Sequence, residues 1–284
     1  MGRALDHIVV AGHDLTALRD FYHRMGFQVG RRNLHPWGTE NHIIQFDGVF
    51  LELIGLPPEG QGLAKPTPYF AAFVRDYLAK RQGLAMLVLA SQNAMADHDA
   101  FRAQEIGYGE VFHFSRQAVR PDGQPINVAF SLAFARPHGS INCGFFTCQQ
   151  HFPENFWNPA FQTHENGVLS LTEVIFAADE AHQHSVFMAE FTGNKPLAAE
   201  AGHSIYEHEG QRVIVAHSDI LLQNYGIAVE SGPLHMVALG FAVRDLAAFK
   251  VHLQAQNIDY SMCQGRVIVG PAQAFGAFLI FAQI

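Results

Sequence analysis

Two titratable side chains stand where burial would make them costly: His7 inside the run LDHIVV and Glu52 inside VFLELIGL. Both runs are β-branched and aliphatic, the composition of strands. Successive side chains of a strand point to opposite faces. That alternation places His7 with Leu5 and Val9, away from Asp6, Ile8 and Val10, and places Glu52 with Phe50 and Ile54, away from Val49, Leu51 and Leu53. A carboxylate in mid-strand among aliphatics calls for a partner, a metal ion or a solvent-filled cleft. His7 can be that partner, directly or through an ion. The competing reading makes His7 a core histidine and Glu52 an exposed residue of a one-sided antiparallel sheet.

The elements that must position this pair follow from periodicity. After the first strand, Asp14 can cap a helix whose apolar positions Leu15, Leu18, Phe21, Tyr22 and Met25 recur at helical spacing, with Gly26 ending it. Strands are expected at 28–32 and 42–46, and Asp47-Gly48 makes the hairpin turn into the strand that carries Glu52. Residues 5–56 thus read βαβββ. After the Pro/Gly-rich stretch 57–68 and a helix at 69–81, the order recurs, with strands at 84–90, 111–115, 126–135 and 143–149 and a helix at 94–106. A third pass has strands at 169–177, 204–207 and 213–216 and a helix at 182–191. Its expected fourth strand is replaced by a short helix at 219–225, so that unit reads as degenerate. The fourth pass has strands at 235–243, 260–263, 266–269 and 278–281 and a helix at 246–256. The fold class is α+β: four βαβββ-type modules paired into curled mixed β-sheets with helices outside, divided into an N-terminal pair at 1–167 and a C-terminal pair at 168–284.

Composition narrows the function. The 284 residues are 49% hydrophobic and 15% charged, which is globular, and 18 Lys and Arg against 26 Asp and Glu leave a net charge of -8 with no basic run. Nucleic acid and anionic membrane are therefore disfavoured as partners, and a small-molecule substrate is expected. Cys143, Cys148 and Cys263 cannot all pair and form no Cys-x-x-Cys spacing, which points to a reducing, cytoplasmic compartment. No signal-peptide core and no apolar run of membrane-spanning length is present in the sequence. The 17 histidines are scattered and carry no motif as a group.

The stretch LDHIVVAGHDLTALRDFYHRMGFQV followed by VFLELIGL resembles the vicinal oxygen chelate superfamily, the glyoxalase, bleomycin-resistance and dioxygenase fold. Within it the chain is similar to glyoxalase-like proteins with HPWGTEN (residues 35–41), an FFxCQQHFPENFW-type segment (145–157) and HENG (164–167). The resemblance implies a divalent metal held across a cleft by residues from the first and last strands of paired modules. It makes His7 and Glu52 the first module's ligands, with Glu52 also catalytic. The second module offers Met86, Val88 and Ala90 in its first strand, but Gln149 and then His151 at the end of its last. Such a set suits zinc, nickel, manganese or iron(II). The implied function is a metal-dependent lyase or isomerase acting on a small, oxygen-bearing substrate. The alternative is a sequestering protein of the bleomycin-resistance type. In the second half Thr172 and Ala238 take the places equivalent to His7, Glu173 is expected to point away, and the closing strand has no acid. That disfavours an extradiol dioxygenase and leaves the second half to support the first, by packing or as a homodimer contact.

Further candidates to line the cleft are His35, Thr39 and Asn41 of the first loop, Phe130 and Trp157 as apolar walls, and His164 and Asn166, although Asn166-Gly167 also reads as a turn. Arg116 and Arg120 are candidates to hold an anionic group through bidentate contacts. Asp179, Glu180, His182 and His184 read as helix-start acids and surface histidines rather than a ligand cluster.

Overall fold

The run that carries His7 forms strand β1 (Leu5–Ala11), buried along its whole length because both of its neighbours are strands of the same sheet. Helix α1 (Leu15–Arg24) starts where Asp14 Oδ1 accepts from the Ala17 amide at 2.9 Å, and it buries Leu15, Leu18, Phe21 and Tyr22. The short β2 (Asn33–Leu34), β3 (Glu40–Gln45) and β4 (Phe50–Gly55) complete the first unit. The strand expected at 28–32 does not form: the amide of Gln28 donates to His164 Nδ1 and that of Gly30 to the Ile43 carbonyl. The chain is described here from a computed structural model over residues 2–57, 68–119, 123–139, 142–200 and 202–284.

Helix α2 (Tyr69–Leu78) leads into the second unit, β5 (Gly83–Ala90), α3 (Ala94–Ala103), β6 (Phe112–Val119), β7 (Pro125–Ala135) and β8 (Gly144–Gln150). A short helix α4 (Pro153–Phe156) precedes the third, made of β9 (Val168–Ala177), α5 (Ser185–Thr192), β10 (Ala198–Glu200), β11 (His203–His208) and β12 (Gln211–Ala216). Its β10 supplies the strand that the sequence reading lacked, so the third unit also has four strands. Helix α6 (Ser218–Tyr225) follows it, and β13 (His235–Val243), α7 (Leu246–Ala255), β14 (Ser261–Cys263), β15 (Arg266–Val269) and β16 (Phe278–Gln283) form the fourth. The units pair into two eight-stranded mixed sheets of the same order, β2-β3-β4-β1-β5-β8-β7-β6 and β10-β11-β12-β9-β13-β16-β15-β14.

One face of each sheet enters a common core, in which Leu5, Ile8, Val10 and Phe145 of the first half join Leu171, Phe176, Phe241 and Phe281 of the second. The other faces are separate. Val9, Ile54, Met86, Val88 and Phe146 lie under Phe70 and Val74 of α2, while Ile175, Ile214 and Ala238 lie with Leu221 of α6.

A register shift decides which side chains reach the first of these separate faces. Along β1 and β5, Leu5 pairs with Leu89 but His7 pairs with Val88, so Asp6 is an extra residue, a β-bulge. Strict alternation would have sent Asp6 into the core with Ile8. Instead Leu5 joins Ile8 and Val10, and Asp6 lies beside His7. The same shift recurs in the second half, where Leu171 pairs with Phe241 and Glu173 with Gly240. The expectation for Glu173 is thereby corrected: with Thr172 as the extra residue, Glu173 is the counterpart of His7. It is buried, bonded to Arg212, and packed where a Cβ on Gly240 would come within 2.8 Å of its own Cβ. Ala238 remains the fourth unit's counterpart, and Met86 the second's.

Candidate metal centre

Three buried or half-buried polar side chains, Asp6, His7 and Glu52, meet on the face of β1 and β4 that is turned away from the common core. His7 Nδ1 lies 2.5 Å from Asp6 Oδ1, and its ring is stacked on Phe50 with centroids 4.4 Å apart. A neutral ring with its proton on Nδ1 toward Asp6 turns the lone pair of Nε2 the other way, where Glu52 Oε2 stands 3.9 Å off. That separation is too long for a hydrogen bond. The far oxygen of Asp6 accepts from Gln150 Nε2 at 2.8 Å, while Gln150 Oε1 is buried with no hydrogen-bond partner among the described residues. Oε1 of Glu52 accepts from Asn41 Nδ2 at 2.5 Å.

The HPWGTEN loop organises that last contact. Asn41 Nδ2 also approaches His35 Nε2 at 3.3 Å, and Asn41 Oδ1 accepts from Asn33. His35 Nδ1 lies 2.7 Å from Thr39 Oγ1, which also accepts from Trp37 Nε1 at 2.7 Å. With Asn41 donating to Nε2, the His35 proton belongs on Nδ1. Burial holds the His35 pKa below the ordinary histidine value and Arg116 lowers it further, with Glu52 opposing. His35, Thr39 and Asn41, expected to line the substrate site, are bonded to one another in a chain that ends on Glu52.

The remaining candidates divide. Trp157 packs against Phe50 at 5.8 Å, and Phe130 reaches Phe156 at 6.0 Å, so both belong to one aromatic wall. Gln149 and His151 do not join His7. Gln149 Oε1 accepts from the Ala94 amide at the start of α3, and His151 Nε2 shares the Ser131 hydroxyl with His113 at 2.6 Å. The physical reason is parity: Phe146, Cys148 and Gln150 are the cleft-facing row of β8, and Gln149 faces the helix. Gln150, which the expected ligand set omitted, takes the place beside Asp6. His164 and Asn166 lie at the junction of the halves instead of the cleft. His164 is packed between Phe27 and Phe46, where burial lowers its pKa to about 4, and Asn166 bridges the Met25 carbonyl and the Val168 amide. Arg120 and the turn beginning at Pro121 fall outside the described residues.

The donor set can be tested against a divalent ion. A carboxylate on one ring nitrogen is what orients a metal-binding imidazole, and Asp6 supplies it. The lone pair on Nε2 and the Oε2 oxygen then face each other across a gap that a cation would fill. Among the described residues no three His, Cys, Asp or Glu side chains converge as a cage, so the protein's share is one nitrogen and one oxygen, with the partnerless Gln150 Oε1 nearby. Burial, then the nearby Asp6 and Glu52, push the Cys148 thiol well above its ordinary value. Nitrogen and oxygen donors of this kind fit zinc, nickel, manganese or iron(II), with water or a substrate oxygen completing the shell.

Residues 5–192 match the model of the glyoxalase-like domain. The chain belongs to that family. No curated protein matches it. The glyoxalase-like fold has solved counterparts: a hypothetical protein from Staphylococcus aureus (TM-score 0.69, 10% identity, 100% of both chains) and a mutant of 4-hydroxymandelate synthase from Streptomyces coelicolor (0.63, 11%, 99% of this chain and 92% of that one). A Mn(II)-bound glyoxalase from Novosphingobium aromaticivorans is also similar (0.57, 11%, 100% of this chain and 83% of that one). At these identities the likeness is one of fold. Within the glyoxalase-like fold, the second unit's counterparts of His7 and Glu52 are Met86 and Phe146, neither a ligand for a hard ion.

Proposed function

We propose that this glyoxalase-like protein is a metal-dependent enzyme of lyase or isomerase type, acting on a small oxygen-bearing substrate in the first-half cleft. The observation that carries the reading is the Asp6–His7–Glu52 arrangement: an imidazole oriented by one carboxylate and facing another at 3.9 Å. When bound there, a divalent ion supplies Lewis-acid polarisation of a substrate carbonyl or enediolate oxygen. Asp6 fixes the tautomer and plane of His7. Asn41 holds one Glu52 oxygen, so Oε2 is the atom left to face the ligand and to hold or move a proton beside it. Phe50, Phe156 and Trp157 exclude water from one side.

A second reading, a non-catalytic binding protein of the bleomycin-resistance type, is favoured by the apolar Met86 and Phe146 at the second unit's ligand positions. Elemental analysis of the purified protein, alone and after loading with manganese or zinc, separates the two. The enzyme reading expects about one ion per chain, lost in His7→Ala; a wild type that takes up none under any loading refutes it.

A further inference from the structure

The polar groups lining the path from Glu52 outward are largely occupied with one another. Asn41 is engaged by Glu52, His35 and Asn33, and Thr39 by His35 and Trp37. Trp37 stacks on His35 at 4.8 Å and meets Phe114 edge-on at 4.7 Å. Phe114 lies on β6, and two residues further along the same face comes Arg116. A second line of rings leads back to the site. Phe114 pairs with Phe130 across β6 and β7, Phe130 reaches Phe156 at 6.0 Å, Phe156 reaches Phe50 at 4.9 Å, and Phe50 stacks on His7. Arg116 therefore stands at the outer end of an aromatic wall whose inner end is the imidazole of the candidate metal centre.

Arg116 and Arg31 are exposed, and neither makes an ion pair among the described residues, whereas their neighbour Arg32 is taken by Glu40. Two guanidiniums whose charges oppose each other gain most from an oxyanion placed between them, which their planar donor forks bind in bidentate fashion. We propose that Arg116, assisted by Arg31, is the specificity determinant of this cleft and selects substrates carrying a carboxylate or other oxyanion at the end remote from the reacting oxygen, with an apolar body between. Partial desolvation, and then the nearby positive charge of Arg31, hold the Arg116 pKa below the ordinary arginine value. Carboxylates thus stand at one end of the aromatic wall, at Asp6 and Glu52, and guanidiniums at the other, a polarity that matches a ligand with an oxygen-donor head and an anionic tail.

The inference rests on the first-half cleft being the ligand site, so its test is arranged to fail separately. Binding of 2-oxoadipate, 2-oxohexanoate and the phosphonate analogue of 2-oxoadipate is measured by calorimetry on wild type, Arg116→Gln and Arg116→Lys. Each is used with and without manganese, and folding is checked by thermal unfolding. The first two probes share head and chain length and differ in a terminal carboxylate against a methyl group. Wild type is expected to prefer 2-oxoadipate by tenfold or more. Arg116→Gln should lose that preference, weakening 2-oxoadipate far more than 2-oxohexanoate, and Arg116→Lys should keep part of it. Comparison of the carboxylate with the phosphonate identifies which oxyanion the mouth takes. Equal affinities for the probes with and without the terminal carboxylate in wild type, or a preference that survives Arg116→Gln, overturn the inference. A preference that depends on Arg116 but not on manganese sustains the inference and counts against the metal reading alone.

Discussion

Replacing Glu52 by Gln separates a metal-binding carboxylate from a structural one by sign. The amide keeps the volume, and its oxygen can go on accepting from Asn41, now at 2.5 Å from Glu52 Oε1. Its NH2 group then points at His7 Nε2, which stands 3.9 Å from Glu52 Oε2 and can accept from it. Without an ion the variant removes a half-buried charge and loses no hydrogen bond, so its stability should match wild type or exceed it by up to about 1 kcal/mol. With an ion at 100 times its dissociation constant, wild type gains about 2.7 kcal/mol by mass action. At roughly 2 °C per kcal/mol for a chain of 284 residues, that is on the order of 5 °C in the unfolding midpoint. Loss of a charged ligand that weakens binding about 100-fold leaves the variant only ~0.4 kcal/mol, or about 1 °C. The assay is thermal unfolding of both proteins with excess manganese and with a chelator. A chelator that lowers the wild-type midpoint by several degrees and leaves the variant's unmoved is the expected outcome. Equal midpoints in all four samples, or equal chelator effects in the two proteins, would rule out a metal ion held by Glu52.

Asp6→Asn should lower metal affinity by about 10–100-fold with little change in the unfolding midpoint, because the orienting partner of His7 is altered and no apolar contact is lost; titration calorimetry with manganese checks this. His164 is a pH-dependent element. Its folded pKa of about 4 lies below the ordinary histidine value of 6.5, so the unfolded chain binds the proton more readily, and stability is lost as pH falls from about 6.5 toward about 4. The loss is at most about 3 kcal/mol from this group. His164→Leu should flatten that part of the pH profile while costing about 1–2 kcal/mol at neutral pH, since the Gln28 amide loses its acceptor; chemical denaturation at several pH values reads both effects. A fragment of residues 1–167 should be insoluble or aggregated by size-exclusion chromatography, because Leu5, Ile8, Val10 and Phe145 face a core completed by Leu171, Phe176 and Phe241. A monodisperse folded fragment would contradict it.

Local pattern determined most of the elements and their fourfold recurrence, because the apolar period of a strand or helix is a property of neighbouring residues and survives whatever it packs against. It also put His7 and Glu52 in register for a common cleft, since each is the polar member of an otherwise aliphatic row. What alternation missed was the bulge. Adjacent polar residues after a leucine, Asp6-His7 and Thr172-Glu173, were the available signal: two neighbours cannot both avoid the core unless the strand carries an extra residue, and in both places it does. Once Asp6 turns to the cleft, the His7 tautomer follows. Gln149 and Gln150 were indistinguishable in type, and only the pairing of β8 with β5 and β7 decided that Gln150 faces Asp6 while Gln149 holds the start of α3. His164 and Asn166 lie at the seam between the halves, where their partners, the Gln28 amide and the Met25 carbonyl, are more than a hundred residues away in the chain. Contacts of that span have no period to read: strands and polar rows follow from neighbouring residues, whereas long-range packing sets which of their neighbours reach the site.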